Sequence, residues 1–158
     1  MAFDAFIKIG DIKGESLDAK HKDEIEVLSF SWGVIQGSQQ GGRATGRAAG
    51  RADVQDFTIV KRLDKASPLL FAAACHGDHF TEAIFTARKV GEVAVEFYKI
   101  TMSDVLISSV RPGGSAGSET LPLEEVSLNF GALKIEFTPQ DATGKPGTPV
   151  GALCNSHR

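Results

Sequence analysis

The chain is poor in cysteine, in long apolar runs and in charge of one sign, and each shortage excludes a class of protein. Its 158 residues include two cysteines, Cys75 and Cys154, which can form at most one disulfide. A disulfide-stabilised scaffold is therefore excluded, and a reduced state is expected. No apolar run approaches the roughly 20 residues that span a bilayer, so membrane insertion is not expected. The net charge of −3 provides no positive field for nucleic acid.

The composition is that of an ordinary folded domain. Hydrophobic residues make up 42% and charged residues 23% of the chain, which excludes wholesale disorder. The first residues, MAFDA, lack the basic start and apolar stretch of a secretory signal. We therefore expect a protein that is made in the cytoplasm and leaves it, if at all, by an unusual route.

Alternation of apolar and polar residues predicts a mainly β protein. The alternation shifts phase at Val27-Leu28, which predicts a bulge, and at Gly131-Ala132, which predicts a bend. The segment 93–110 is long enough to bend as well. The predicted strands are residues 3–10, 25–34, 54–63, 80–88, 93–110 and 126–137.

One segment predicts a short helix. Ser67 is a capping residue, Pro68 suits the first helical position, and Gly77 is a typical stop after a run of helix formers. Many strands with a single helix favour a β-barrel or a sandwich.

Two glycine-rich stretches, residues 37–50 and 113–118, predict loops, and the polar tail from residue 141 onward has no predicted structure. The first stretch is unusually long for a loop, and such loops are often functional. It lacks the lysine of a phosphate-binding loop and the aromatic residues that stack on bases, so we expect its arginines to contact acidic protein surface. Its prominent residues are Gly37, Gly41, Gly42, Arg43 and Arg47, and Arg51 follows directly.

Potential metal ligands are dense only at the end of the predicted helix, where Cys75, His76, Asp78 and His79 occur together. All four lie in one turn, whereas structural zinc sites usually use two spaced pairs of ligands. We interpret them as a buried cysteine with polar residues that cap the helix, and no metal or other cofactor is predicted.

A catalytic set is not evident in the sequence. The Gly-x-Ser-x-Gly match at residues 113–117 lies in a predicted loop between two strands, so it is not the strand–turn–helix elbow that presents a nucleophile. Glu96 and Asp104 lie at strand positions where charges normally face water. The sequence therefore predicts a protein that is not an enzyme.

Small neutral residues alternate with the apolar residues of two predicted strands. Ser29, Ser31 and Gly33 do so in one, and Ser127, Asn129 and Gly131 do so in the other. This side is either an ordinary solvated sheet face or the inner wall of an aqueous passage that several subunits build.

Four stretches, taken in order and spacing, resemble the Hcp family, the tail-tube proteins of bacterial type VI secretion. The resemblance covers residues 1–140 as a single domain, followed by the polar tail 141–158. The stretches are residues 4–16 (DAFIKIGDIKGES), 25–33 (IEVLSFSWG), 65–70 (KASPLL) and 126–131 (VSLNFG).

The resemblance implies a two-sheet β-barrel with one short helix packed on its side, as in phage tail-tube proteins. It also implies homohexameric rings that stack into a tube, a contractile sheath around the tube, a VgrG spike at its tip and small effector proteins in the lumen. A protein of this family starts in the cytoplasm and is then secreted, without a signal peptide, outside the cell or into a target cell.

Site residues follow from the same resemblance. Ser29 and Ser31 match the strand that lines the lumen, and residues 37–51 match a loop that contacts an adjacent protomer or ring. That loop carries three positive charges and no acid, so the remaining residues carry −6 and include an acidic receiving surface. The family tends to end in a strand with an aromatic residue, which residues 150–158 lack, so a final strand is not predicted.

Two alternatives remain beside a tube subunit. The first is an effector-type relative with a toxic activity, for which the 18-residue tail is short. The second is a ligand-binding or metal-binding β-barrel that uses Cys75, His76 and His79.

Overall fold

The computed structural model describes residues 2–39 and 48–155, and these form ten strands and one helix. The predicted mainly β fold is confirmed. The elements are β1 (Phe3–Ile9), β2 (Ile25–Val27), β3 (Ser29–Ser31), β4 (Val34–Gln39), β5 (Ala48–Val54), β6 (Phe57–Arg62), α1 (Ser67–His76), β7 (His79–Lys89), β8 (Glu96–Gly113), β9 (Leu123–Phe137) and β10 (Val150–Asn155).

Eight strands form one antiparallel sheet that nearly closes into a barrel. Its order is β2-β1-β7-β8-β9-β6-β3, and β10 also pairs with β9. The strands at the two ends of this order, β2 and β3, are consecutive in the chain and meet at Leu28, whose backbone N–H donates to the carbonyl of Val60 at 2.8 Å. The predicted phase shift at Val27-Leu28 is therefore a corner of the barrel, and the predicted single strand 25–34 is corrected to separate short strands.

The core fills the inside of this barrel. The rings of Phe30, Phe57 and Phe85 meet there, with centroids 4.6 Å apart for Phe30 and Phe85 and 5.2 Å apart for Phe57 and Phe85. Leu70 and Ala73 of α1 are buried in the same cluster. Alternate residues of each wall strand point into this cluster, which leaves the other side chains on the outer face.

The long strands β8 and β9 both change phase at one corner. In β9 the buried residues pass from Phe130 to Leu133, which confirms the predicted bend at Gly131-Ala132. In β8 the buried residues likewise pass from Met102 to Val105, and Asp104, directly before Val105, has a left-handed φ of 52°. These two bent strands therefore fold the single eight-stranded sheet into two halves, here called the two barrel sheets.

The glycine-rich stretch 37–50 is not wholly a loop. Strands β4 and β5 pair with each other as a separate two-stranded sheet, so residues 37–39 and 48–50 are strand residues. The predicted strand 54–63 is likewise divided, because β5 ends at Val54 and β6 begins at Phe57. Backbone pairing of one segment with the other supplies hydrogen bonds that a local reading of glycine content does not anticipate.

The tail also contains a strand that the sequence did not predict. Residues 150–155 of β10 pair with residues 132–137 of β9. This half of β9 has no pairing with β6, whose partners are residues 123–128, so its edge is available to the tail. An aromatic residue is therefore not needed for the final strand.

Helix α1 begins and ends close to the predicted positions. Gly77 adopts the left-handed conformation (φ 65°) and donates its N–H to the carbonyl of Ala73, which confirms it as the stop. Ser67 is not the N-cap, which is Ala66. The Ser67 hydroxyl instead accepts hydrogen bonds from Nζ of the buried Lys61 at 3.0 Å and from the N–H of Asp64 at 3.1 Å.

Candidate functional site

The outer face of one barrel sheet carries a row of small hydroxyl side chains. Strand register places Ser31 beside Thr58, Thr58 beside Ser127, and Ser127 beside Ser109. Directly paired residues of antiparallel strands share a face, so these four form a continuous row, here called the hydroxyl row. Ser29 lies on the same face of β3, two residues before Ser31.

Most of this face is held by its own hydrogen bonds. The Thr58 and Ser127 hydroxyls are 2.9 Å apart. Next to them, the Asp56 carboxylate accepts from the Ser108 hydroxyl at 2.6 Å and from the Asn129 amide at 3.0 Å. This part of the face is therefore held by its own hydrogen bonds.

Ser29 and Ser31 are the more exposed part of this face and take no part in these hydrogen bonds. Both side chains are exposed, and among the described residues neither hydroxyl has a hydrogen-bond partner. Between them, Phe30 packs against the core, as the predicted alternation requires. The two serines predicted as a site therefore lie side by side on the surface and offer free hydroxyls to whatever faces them.

Sequence reasoning missed several members of this face. Thr58, Ser109 and the Asp56 carboxylate belong to it as much as Ser31 does, but they come from strands distant in the chain. The sequence around each shows only ordinary alternation, so strand register was the information needed to find them.

The outer face of the other barrel sheet is covered by a segment of the chain. Residues 13–24, here called the strap, cross this face, and the N–H of Gly14 donates to the carbonyl of Asp23 at 2.7 Å. A side chain at position 14 would meet the backbone of Glu24 at 2.5 Å, so glycine is required by close approach. The strap buries Phe6, whose ring stacks on His21 at 4.6 Å.

Charged contacts fasten the strap to the barrel. Arg88 of β7 donates through both terminal nitrogens to the two carboxylate oxygens of Asp18, with Nη1 2.9 Å from Oδ1. This hydrogen-bonded guanidinium lowers the pKa of Asp18 to about 2. The two ring nitrogens of His21 lie 2.8 Å from Glu24 and 2.7 Å from Glu96.

The predicted ligand cluster at the end of α1 is not assembled. Cys75 is exposed, which corrects the prediction of a buried cysteine, and His79 lies 3.2 Å from Asp104 of β8. Within residues 2–39 and 48–155, no three side chains are placed to hold a metal ion together. The geometry therefore gives the metal-binding alternative no support.

The predicted contact loop is described only in part. Gly37 is exposed within β4, and Arg51 belongs to β5, whereas the remaining predicted contact residues lie outside the described residues. These are Gly41, Gly42, Arg43 and Arg47. In the part of the chain that the structure describes, no helix is long and apolar enough to cross a bilayer.

Comparisons with known proteins agree with one another. The family model described as "Type VI secretion system effector, Hcp" matches residues 6–137. Protein hcp1 of Pseudomonas aeruginosa is 48% identical over 152 residues, which cover 95% of this chain and 93% of that protein.

Solved structures show the same fold. A type six secretion system protein superposes with a TM-score of 0.89 and 31% identity over 94% of this chain and 92% of its own. The baseplate of the anti-feeding prophage contains a chain with a TM-score of 0.51 and 13% identity, over 84% of this chain and 91% of that one. The second likeness concerns the fold alone.

Proposed function

This chain belongs to the Hcp family of the type VI secretion system, a structural and non-enzymatic family, and on that basis we propose that it is a subunit of the secreted inner tube. Six copies close into a ring, rings stack into the tube, and the lumen carries small effector proteins. The contractile sheath surrounds this tube and the VgrG spike caps it. The protein leaves the cytoplasm with the tube and needs no signal peptide.

The observation that carries the proposal is the contrast between the two outer faces of the barrel. The strap covers one face with charged and stacked contacts, whereas the other presents the hydroxyl row without a cover. Small hydroxyl side chains hold water well and offer little apolar area, so a passing protein gains little by adhering to them. Such a face suits the wall of a wet channel.

A ring also needs two different, complementary patches on each protomer. The β4–β5 sheet is one such patch, since among the described residues its two strands pair only with each other and Val34 and Ile35 are exposed. In the proposed ring, the arginines of residues 37–51 would face an acidic surface of the neighbouring protomer. Each exposed ion pair contributes about 0–1 kcal/mol, but a ring repeats it at every junction.

The native mass of the protein in dilute solution tests the proposal. Mass photometry should give a particle of six protomers, and negative-stain images should show rings with a central hole. A persistent monomer would contradict the ring. A monomer that holds stoichiometric zinc would favour the metal-binding alternative instead.

Replacing Ser31 tests the assignment of the lumen. We expect Ser31→Gln to leave rings intact but to reduce effector retention or export severalfold, because a longer side chain displaces cargo from a free hydroxyl. Co-purification of effector with the ring measures this. Ser103→Gln, an exposed serine on the other sheet, is the matched control and should retain cargo. Loss of the ring in Ser31→Gln would place Ser31 at a protomer junction and refute the assignment.

A further inference from the structure

The ring of His21 is nearly enclosed and lies between two carboxylates. The residue is 7% exposed. Its Nδ1 lies 2.8 Å from Oε2 of Glu24, and its Nε2 lies 2.7 Å from Oε1 of Glu96. Glu24 belongs to the strap, whereas Glu96 is the first residue of β8. One side chain therefore joins the strap to the barrel wall.

This geometry determines the protonation state of the ring. An ionised carboxylate only accepts hydrogen bonds, so both ring nitrogens of His21 must donate. A neutral imidazole has a single N–H, and its other nitrogen would turn a lone pair toward a carboxylate oxygen. Only the imidazolium satisfies both contacts, and loss of its proton converts one attraction into a repulsion. Histidine is the side chain that ordinarily changes charge between about pH 5 and pH 8.

The other charged groups around His21 come from the strap and from two strands. Asp18 of the strap accepts the backbone N–H of His21 at 3.2 Å, and its carboxylate pairs with Arg88 of β7. Arg88 lies over the Phe6 ring on which His21 stacks, and it reaches Asp4 of β1 at 3.6 Å. Asp18 and Arg88 keep their charges as pH rises from neutral. The proton of His21 is therefore the charge that changes at this site.

Side chains make the links between the strap and the barrel. Backbone hydrogen bonds close the strap on itself, as from the N–H of Gly14 to the carbonyl of Asp23 at 2.7 Å. Its hydrogen bonds to the rest of the described protein come from the side chains of Glu15, Asp18 and His21. A segment attached in this way can leave the wall while the strand pairs of the barrel stay intact.

We propose that His21 is a pH-sensitive latch for the strap. The imidazolium holds the strap against β8, and as pH rises the neutral ring releases it and uncovers Phe6, which is 4% exposed under the closed strap. The latch therefore gates an apolar ring on the outer face of the barrel. The inference concerns the single protomer and does not depend on the proposed ring.

Hydrogen–deuterium exchange of the full chain tests the latch. Peptides from residues 13–24 report on the strap, and peptides from residues 98–107 of β8 report on the core. Between about pH 5 and pH 9, we expect the strap to lose protection roughly tenfold, the factor that corresponds to one charge-assisted hydrogen bond. This loss is measured after correction for the intrinsic effect of pH on exchange, and the core peptides should not change.

Glu96→Gln distinguishes the latch from a general loosening. The glutamine amide can donate to the free nitrogen of a neutral imidazole, and its carbonyl can accept from the imidazolium. This variant should therefore keep the strap protected across the same pH range. Glu92→Gln, at an exposed glutamate in the preceding loop, is the matched control and should lose protection as the wild type does.

Several outcomes would refute the latch. In the wild type, strap protection that does not change with pH would do so, and so would an equal loss in strap and core. A Glu96→Gln strap that opens with the wild-type pH dependence, or a Glu92→Gln strap that stays closed, would do so as well. These readouts are the same for a ring and for a monomer, so failure of the proposed function would leave them intact.

Discussion

The residues that hold the strap on the barrel combine charged contacts and ring stacking around Phe6. Arg88 pairs with Asp18 and also lies over the Phe6 ring, 5.1 Å from its centroid. His21 stacks on the same Phe6 ring, and its two ring nitrogens contact two carboxylates. A few side chains therefore fix the strap in one position on the barrel.

The Asp18–Arg88 pair predicts a pH dependence. Because the pKa of Asp18 is lowered from 3.8 to about 2 in the folded state, the pair stabilises the protein above pH 3.8, and this contribution is lost as pH falls toward 2. We expect Arg88→Met to remove about 1 kcal/mol of that acid-dependent stability, after allowance for solvent screening. Urea unfolding between pH 2 and 5 measures it.

Arg111→Met removes an exposed arginine that has no ion pair among the described residues, and it serves as the control. Its stability should depend on pH as that of the wild type does. An Arg88→Met profile with the wild-type slope would contradict the role of the pair.

At the scale of elements, α1 is joined to the barrel by buried charge. Nζ of Lys61 in β6 lies 3.0 Å from the Glu124 carboxylate of β9 and 2.9 Å from Asp64, which precedes the helix. Lys61 and Glu124 are both buried. Each charge is tolerated inside the protein only because the other is present.

We therefore expect Lys61→Ala to destabilise the protein by about 3–5 kcal/mol, because it leaves Glu124 as an uncompensated buried charge. Lys61→Met with Glu124→Leu removes both charges and should recover most of that loss. Lys8→Met, at an exposed lysine without a described partner, is the control. Denaturant unfolding measures all three, and a double variant no more stable than Lys61→Ala would argue against the explanation.

At the scale of the whole molecule, a single protomer leaves several surfaces without cover. Among the described residues, these include the hydroxyl row, the exposed side chain of Leu17 and the paired strands β4 and β5. The two apolar surfaces favour association, whereas the hydroxyl row favours contact with water. These surfaces support the proposed annulus, in which the hydroxyl row would face the lumen.

Charge on residues 37–51 predicts a salt dependence of assembly. Arg43→Glu with Arg47→Glu should weaken ring or tube assembly more at low salt than near 1 M, where the screening length falls to about 3 Å. Mass photometry at both salt concentrations measures it, with Arg111→Glu as the control. A loss of assembly that does not change with salt would exclude the electrostatic explanation.

Local patterns in the sequence determined much of this protein. Alternation predicted the strands, Gly77 ended the helix, and the phase shifts at Leu28 and Gly131 proved to be corners of the barrel. Ser29 and Ser31 were identified as surface serines because their neighbour Phe30 must point inward. Each of these features depends on residues within a few positions of one another.

Only the tertiary structure decided which strands lie side by side. The pairing of β4 with β5, the addition of β10 to the free half of β9, and the meeting of Ser31, Thr58, Ser127 and Ser109 all depend on register between distant segments. Backbone hydrogen bonds between strands carry no signature in nearby side chains, which is why glycine content misled the prediction for residues 37–50 and why the tail seemed to lack a strand.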